Sequence, residues 1–163
     1  MWDVGTPAHN DRDGAGGAPH HTSWGHDMAN LNPYLSFRTD ARQAMEFYQG
    51  VLGGDLEINV FSEFPDMVQS PDQADLVMHA QLTTPDGLVL MASDTPDGMP
   101  YEAPAGISVS LSGNTQARTQ EVWDALADGA TVTMPLDTPP WGGNFGMLVD
   151  RFGIAWMLHG DPE

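Results

Sequence analysis

The sequence predicts an α+β protein made of two tandem modules, each with the order strand, helix, strand, strand, strand. Eight short segments have the composition and bounding turns of strands, and two segments carry apolar residues at helical spacing. The same order of elements occurs twice, which indicates an internal duplication. Two such units bury one joint core, so we expect a single domain with an internal pseudo-twofold axis and mixed, mostly antiparallel sheets.

Module one, residues 31–95, opens with a strand and a helix. The strand is predicted at 33–37, and Asp40 is the expected N-cap, with Gln43 three residues later. Gly53 and Gly54 end the helix. Its apolar stripe consists of Ala44, Met45, Tyr48, Val51 and Leu52. Further strands are predicted at 56–61, 76–83 and 88–93, with a turn at 84–87 between the last two.

Module two, residues 105–159, repeats this order. Its strands are predicted at 107–111, 130–135, 145–149 and 154–159, and its helix begins at Asn114 or Thr115. Gly129 corresponds to Gly54, and Gly153 corresponds to Gly87. The first pair is 75 positions apart and the second is 66 positions apart. The difference arises because module one has a longer loop at 62–74, which is rich in Pro, Asp and Ser. This register supports the duplication.

Composition excludes several classes of function. The chain of 163 residues has 5 basic and 23 acidic side chains, no cysteine, and a net charge of −18. All five basic residues are arginines, so a Schiff-base lysine and a P-loop lysine are excluded. The absence of cysteine excludes a thiol nucleophile and a disulfide framework. The charge disfavours nucleic acid and anionic membranes as partners. Because no apolar run approaches the roughly 20 residues of a membrane span and no basic segment precedes an apolar one, we expect a cytoplasmic protein.

Residues 1–30 form a glycine- and histidine-rich tail with no strand or helix period, which we expect to be disordered. Four histidines lie in it: His9, His20, His21 and His26. A flexible tail lacks the surrounding hydrogen bonds that fix metal ligands, so we do not expect a defined metal site there.

The motifs of residues 31–159 resemble the PhnB-like branch of the vicinal-oxygen-chelate superfamily, which includes glyoxalase I, bleomycin-resistance proteins and extradiol dioxygenases. The residues that carry the resemblance are 33–37 (PYLSF), 44–48 (AMEFY), 77–80 (VMHA), 90–94 (LMASD), 132–136 (VTMPL) and 145–153 (FGMLVDRFG). The resemblance implies sheets that curl into a cup, with helices on the convex side, and a homodimer. A methyltransferase label used in this group has no support in the sequence, because a glycine-rich strand-to-helix turn is missing.

The superfamily's enzymes hold one divalent metal in the cup, through the opening and fourth strands of each module. Matching motif to motif places the opening-strand positions at Asn32 or Pro33 and at Gly106 or Ile107. Both fourth-strand glutamate positions fall on methionine, Met91 and Met157. Thioether sulfur is a poor ligand for hard cations, so the sequence predicts neither a metal nor another cofactor.

Period-2 alternation predicts which side chains line the cup. We expect Ile107, Val109 and Leu111 to face the helix, and likewise Met78, Ala80 and Leu82. His79 is the candidate catalytic residue, either as a general base or as a group that orients a ligand. The predicted ligand-binding residues are Gln81, Met91, Ser93, Ser108, Ser110, Trp141, Phe145 and Met157. Trp141 is a candidate lid, interface anchor or staple.

These residues predict a protein that binds a small, partly apolar molecule in its cup without a metal. One alternative is an enzyme: a metal-dependent lyase, isomerase or dioxygenase with relocated ligands such as His79, Gln81 and His159, or a metal-free acid–base catalyst using His79. Another is an interaction module whose cup is filled by its own side chains. Asp94 and Asp150 adjoin turns, so we interpret them as turn or cap residues.

Overall fold

Eight strands and two helices follow the order that the sequence predicts, so the α+β fold of two tandem modules is confirmed. The structure is a computed structural model that describes residues 29–162. Module one contains β1 (Tyr34–Phe37), α1 (Ala41–Leu52), β2 (Asp55–Val60), β3 (Val77–Thr83) and β4 (Val89–Asp94). Module two contains β5 (Val109–Asn114), α2 (Gln116–Leu126), β6 (Thr131–Asp137), β7 (Asn144–Val149) and β8 (Ala155–Gly160).

Each module forms its own four-stranded mixed sheet. Sheet one has the order β1-β4-β3-β2, and sheet two has the equivalent order β5-β8-β7-β6. The first pair of each sheet is parallel and the other pairs are antiparallel. The registers also correspond, because Met91 lies opposite Gln81 as Met157 lies opposite Met147. The duplication therefore extends to individual strand pairs.

The helices begin where the sequence predicts, but with different caps. Thr115 precedes α2, and its hydroxyl accepts a hydrogen bond from the backbone N–H of Arg118 at 3.2 Å. Asp40 precedes α1 without a side-chain cap bond. The buried carboxylate of Asp94 takes that role instead, accepting from the N–H groups of Ala41 at 2.9 Å and Val77 at 2.8 Å. Asp94 is thus a cap residue, as expected.

The two modules share one hydrophobic core on the helix side of both sheets. It includes Met45 and Tyr48 of α1, Val122 and Trp123 of α2, and Trp156 of β8. The Tyr48 hydroxyl donates a hydrogen bond to Asp150 in the β7–β8 turn at 2.6 Å, and the Trp156 indole donates to the same carboxylate at 2.9 Å. A helix of module one is thereby fixed to a turn of module two. One cluster of buried side chains thus contains residues of both modules.

Close packing in module two also depends on a glycine. A Cβ added to Gly146 would lie 2.6 Å from the Trp123 ring and 2.9 Å from the Cα of Leu136. Only glycine lets β7 approach α2 and β6 this closely. The prediction that Trp123 and Trp156 are core residues is confirmed, since they are 8% and 2% exposed.

Two of the predicted side-chain directions are wrong. Pairing of β5 with β8 starts at Val109, so Ile107 lies before the strand and is 74% exposed instead of facing the helix. In β3, the register shifts between Asn59 and Val60 of the paired strand β2, which marks a bulge near Met78. Because of the bulge, Val77 enters the core at 1% exposure and Met78 does not. Strict alternation cannot anticipate an extra residue.

Residues 1–28 of the predicted tail, which include its four histidines, lie outside the residues that the structure describes. Within residues 29–162, neither helix is long and apolar enough to span a membrane.

We expect the Tyr48–Asp150 bond to stabilise the fold measurably. Tyr48→Phe should lower the free energy of unfolding in urea by about 1.5–3 kcal/mol, because the bond joins a buried hydroxyl to a carboxylate. Burial and Asp150 raise the pKa of Tyr48 far above its ordinary value of 10.0. The unfolded chain therefore loses this proton first, and wild-type stability should fall as the pH rises above about 10. The stability of Tyr48→Phe should fall less steeply with pH, and the stability of Tyr34→Phe should follow that of the wild type.

Candidate functional site

The candidate site consists of two open faces, which we define as the sides of sheets one and two that point away from the helices. In β4, Leu90, Ala92 and Asp94 are buried, and the alternating residues are partly exposed. The same alternation occurs in β8, where Trp156, Leu158 and Gly160 are buried. Period-2 geometry therefore directs the remaining side chains of both strands onto the open faces.

A row of mainly polar side chains crosses the open face of sheet one. Met91 in β4 lies opposite Tyr34 in β1 and opposite Gln81 in β3, and Gln81 lies opposite Glu57 in β2. Side chains paired in this way across strands have Cβ atoms about 4.5–5.5 Å apart. The row thus presents a phenol, a thioether, an amide and a carboxylate next to one another.

The equivalent row on sheet two is mostly apolar. Met157 in β8 lies opposite Ser110 in β5 and Met147 in β7, and Met147 lies opposite Met134 in β6. Three thioether side chains therefore follow one another across adjacent strands. Methionine is flexible and polarizable, which suits a surface that adapts to an irregular apolar partner.

Tyr34 and His79 contact each other above sheet one. The Tyr34 hydroxyl lies 3.3 Å from Nδ1 of His79, and the two ring centroids are 5.8 Å apart. These residues belong to β1 and β3, so the contact crosses the intervening strand β4. Which atom carries the proton depends on the histidine tautomer. The pair could hold a polar ligand atom or move a proton on it.

A second row lies beside the first on each sheet. On sheet one, Ser93 lies opposite Ser36, and His79 lies opposite Asn59. On sheet two, Phe145 lies opposite His159. The Nε2 atom of His159 is buried and has no hydrogen-bond partner among the described residues. His79 and His159 therefore lie in different sheets.

Two predicted ligand-binding residues lie outside the strands. Ser108 precedes β5 and is exposed, and Trp141 lies in the β6–β7 connection at 69% exposure. The other predicted residues lie on the open faces. Sheet one carries His79, Gln81, Met91 and Ser93, and sheet two carries Ser110, Phe145 and Met157. None of these seven is fully buried. The prediction that they bind a ligand stays a prediction.

The side chains present do not fit the superfamily's divalent metal. Met91 and Met157, at the fourth-strand positions, offer only thioether sulfur to a cation that prefers oxygen or nitrogen. Within residues 29–162, no group of three or more His, Cys, Asp or Glu side chains is placed to hold a metal ion.

Sequence reasoning missed several residues of the open faces. The sequence predicts Tyr34 and Glu57 only as strand residues, and it predicts no side-chain direction for Met134 in its strand. The signal for Tyr34 was present, because it alternates with the core residues Leu35 and Phe37. Met134 could not be assigned, since β6 pairs irregularly with β7, and the register shifts on both sides of it.

A comparison with the sequence profiles of protein families shows which family the chain belongs to. The profile of the 3-demethylubiquinone-9 3-methyltransferase family matches residues 29–159. The chain belongs to this family. The predicted resemblance to the PhnB-like branch of the vicinal-oxygen-chelate superfamily is confirmed. Family membership does not by itself establish methyl transfer for this chain, because members of one fold family can differ in function.

Several similar proteins match most of the chain. Protein PA1353 from Pseudomonas aeruginosa is 38% identical, and its crystal structure has a TM-score of 0.73 over 83% of this chain and 100% of that chain. Protein YjdN from Escherichia coli is 27% identical over 141 residues, which is 79% of this chain and 93% of YjdN. The PhnB protein from Bacillus cereus, at 22% identity and TM-score 0.62, covers 82% of this chain and all of its own. The last similarity shows the fold alone.

We expect His79 to contribute little to stability. His79→Ala should change the free energy of unfolding by no more than about 0.5 kcal/mol, because the side chain lies on a partly exposed face. Leu82→Ala in the same strand is the control, since Leu82 is 0% exposed and its truncation should cost about 2–5 kcal/mol. Chemical denaturation measures both values. A loss of several kcal/mol for His79→Ala would make His79 a core residue.

Proposed function

We propose that this PhnB-like protein binds a small, partly apolar molecule on its open faces, without a metal. The observation that carries the proposal is the contrast between the two equivalent rows. The row on sheet one offers Tyr34, Gln81 and Glu57 as hydrogen-bonding groups, with His79 beside it. The row on sheet two offers Met134, Met147 and Met157 as an apolar wall. Ligand sites combine an apolar lining with a few placed polar groups in this way.

We propose further that a second copy of the chain completes the site as a homodimer. Tyr34 and Met134 on the open faces are 50% and 46% exposed, so one chain leaves these faces accessible to water. Exposed apolar surface of this kind is typical of an interface or a ligand groove. A cup formed between two copies would shield a ligand from solvent while keeping the core of each chain intact.

The proposal that the site holds no metal rests on the chemistry of its side chains. Met91 and Met157 lie at the centres of their rows, so a cation on either open face would meet sulfur first. The polar groups nearest to Met91 are the Tyr34 phenol and the Gln81 amide, which favour hydrogen bonding over coordination of a hard cation.

The Tyr34–His79 contact supports an enzymatic alternative that needs no metal. A phenol and an imidazole 3.3 Å apart could transfer a proton to or from a bound molecule. In that case His79→Gln would retain binding and abolish conversion of the molecule. If the protein only binds, the variant would lose affinity and there would be no reaction to abolish.

The central test uses the neutral fluorescent probe N-phenyl-1-naphthylamine. We expect the full chain to bind it, and Met157→Asp to weaken binding by at least about tenfold, because a buried carboxylate would face the apolar ring. Titration of probe fluorescence measures the dissociation constants. Leu88→Asp is the comparison variant, since Leu88 is 50% exposed and lines a separate cavity between the modules, which Val89 and Ser110 also border. Loss of binding only in Leu88→Asp would place the ligand in that cavity.

The homodimer predicts a sedimenting species of about twice the chain mass of 17.6 kDa. Met134→Asp and Met147→Asp, which add charge to the open face of sheet two, should shift the equilibrium towards the monomer. Analytical ultracentrifugation over a range of concentrations measures this shift. A wild type that sediments only at the monomer mass would contradict the dimer.

Metal content separates binding from the metal-dependent alternative. We expect less than about one tenth of a divalent ion per chain after dialysis, because the ligand positions hold methionine. The sample should be the full chain with His9, His20, His21 and His26 replaced by alanine, so that the tail cannot take up metal. Elemental mass spectrometry gives the ratio. One tightly held ion per chain would instead favour a metal-dependent enzyme with relocated ligands.

A further inference from the structure

A methionine-rich cleft lies beside sheet one, between the β2–β3 connection and the segment that follows β4. We call it the methionine cleft and define it by Phe61, Met67, Pro96 and Met99, which line two adjoining cavities of about 510 and 520 Å³. Met78, Ser36 and Ser93 of sheet one form the floor of the second cavity. The cleft therefore extends the open face of sheet one beyond the edge of its strands.

The cleft leaves apolar side chains in contact with water. Met67 is 52% and Met99 is 59% exposed, whereas Phe61 below them is 9% exposed. Met78 joins them because the bulge in β3 directs it away from the core. Flexible methionines around an open cavity can repack against ligands of different shape. The walls are thus suited to an apolar, bulky group.

The charged side chains that line the cleft are all acidic. Asp66 and Asp97 line one cavity, and Asp94 and Glu102 line the other. The Asp94 carboxylate accepts two backbone hydrogen bonds, so its role is structural. Asp66, Asp97 and Glu102 are exposed. They give the rim a local negative potential in addition to that of the net charge of −18.

One basic residue, Arg38, lies beside this rim. Its guanidinium lies over the ring of Tyr101, 5.8 Å from the centroid, and Tyr101 lines the second cavity. The ring face of Tyr101 thus already attracts a cation. A cationic ligand in the cleft would experience repulsion from Arg38 and attraction from the three exposed carboxylates.

Module two has a much shorter connection at the position that corresponds to this cleft. In module one the chain takes residues 61–76 to pass from β2 to β3, whereas in module two residues 138–143 connect β6 to β7. The longer connection is the main departure from the internal duplication, and it supplies Phe61, Asp66 and Met67. The cleft is therefore a feature of one module, added beside a shared core.

We propose that the methionine cleft selects an organic cation with a large apolar body. This inference rests on the proposed function, since Ser93 belongs to both sites, and it specifies the charge of the ligand. An apolar body fits the methionine and phenylalanine walls, and a positive charge is complementary to Asp66, Asp97 and Glu102. An anion of the same shape would lose its hydration beside three carboxylates, against which Arg38 is a single opposing charge.

Two ions of equal shape and opposite charge test the selection. Tetraphenylphosphonium should bind the full chain at least about tenfold more tightly than tetraphenylborate in isothermal titration calorimetry at physiological salt. Equal affinity for the two ions, or tighter binding of the anion, would overturn the proposal.

Charge variants locate the bound cation. The triple variant Asp66→Asn, Asp97→Asn, Glu102→Gln should bind tetraphenylphosphonium about tenfold more weakly than the wild type. The matched control is Glu46→Gln, Glu121→Gln, Asp124→Asn, which removes the same charge from exposed positions of α1 and α2. It should change the affinity by less than about threefold. Equal losses in the two triple variants would show attraction by the net charge alone and would overturn the proposal.

The change in cation affinity caused by substituting Arg38 gives a further test. Arg38→Gln removes the nearby positive charge, so cation binding should become about twofold to fivefold tighter. Weaker binding in this variant would contradict the proposed position of the cation. Binding of the neutral naphthylamine probe should remain unchanged in the acidic triple variant. If the neutral probe binds and the phosphonium selectivity is missing, the proposed function stands and the cation inference fails; if neither probe binds, both fail.

Discussion

The structure depends on the buried carboxylate of Asp150, which joins the two modules. It accepts hydrogen bonds from the Tyr48 hydroxyl, the Trp156 indole and the backbone N–H groups of Phe152 and Ile154. A buried charge is tolerated only when it is hydrogen-bonded in this way, so α1 of module one must stay against the β7–β8 turn of module two. Both sheets then bury their helix sides in one core, so the alternate residues of β4, β7 and β8 are directed to an open face.

The internal duplication preserves the core and the register but not the chemistry of the open faces. Met91 and Met157 occupy equivalent positions, yet their neighbours in β3 and β7 are Gln81 and Met147. One row therefore has three hydrogen-bonding side chains, Tyr34, Gln81 and Glu57, whereas the other has only Ser110. The longer connection in module one adds the methionine cleft on the polar side. A symmetric scaffold thus carries an asymmetric surface, which suits a ligand with one polar and one apolar end.

The family relationship establishes the fold and leaves the chemistry to the individual side chains. Superfamily enzymes polarise a substrate with a metal, and this requires oxygen or nitrogen ligands at positions where the chain has methionine. The Tyr34–His79 pair supplies a group capable of proton transfer without such a metal. The proposed binding and the enzymatic alternative would therefore use the same open face and would differ only in what happens to the ligand.

The sequence alone determined the order of elements, the duplication and the roles of Asp94, Asp150, Trp123 and Trp156, because local periodicity and turn residues encode them. It also placed His79, Gln81 and Met91 on one side of sheet one. Only the tertiary structure decided the direction of Met78 and the contact of Tyr34 with His79. The first depends on a bulge and the second on the order of strands in the sheet, and both arise from pairing between residues far apart in the chain.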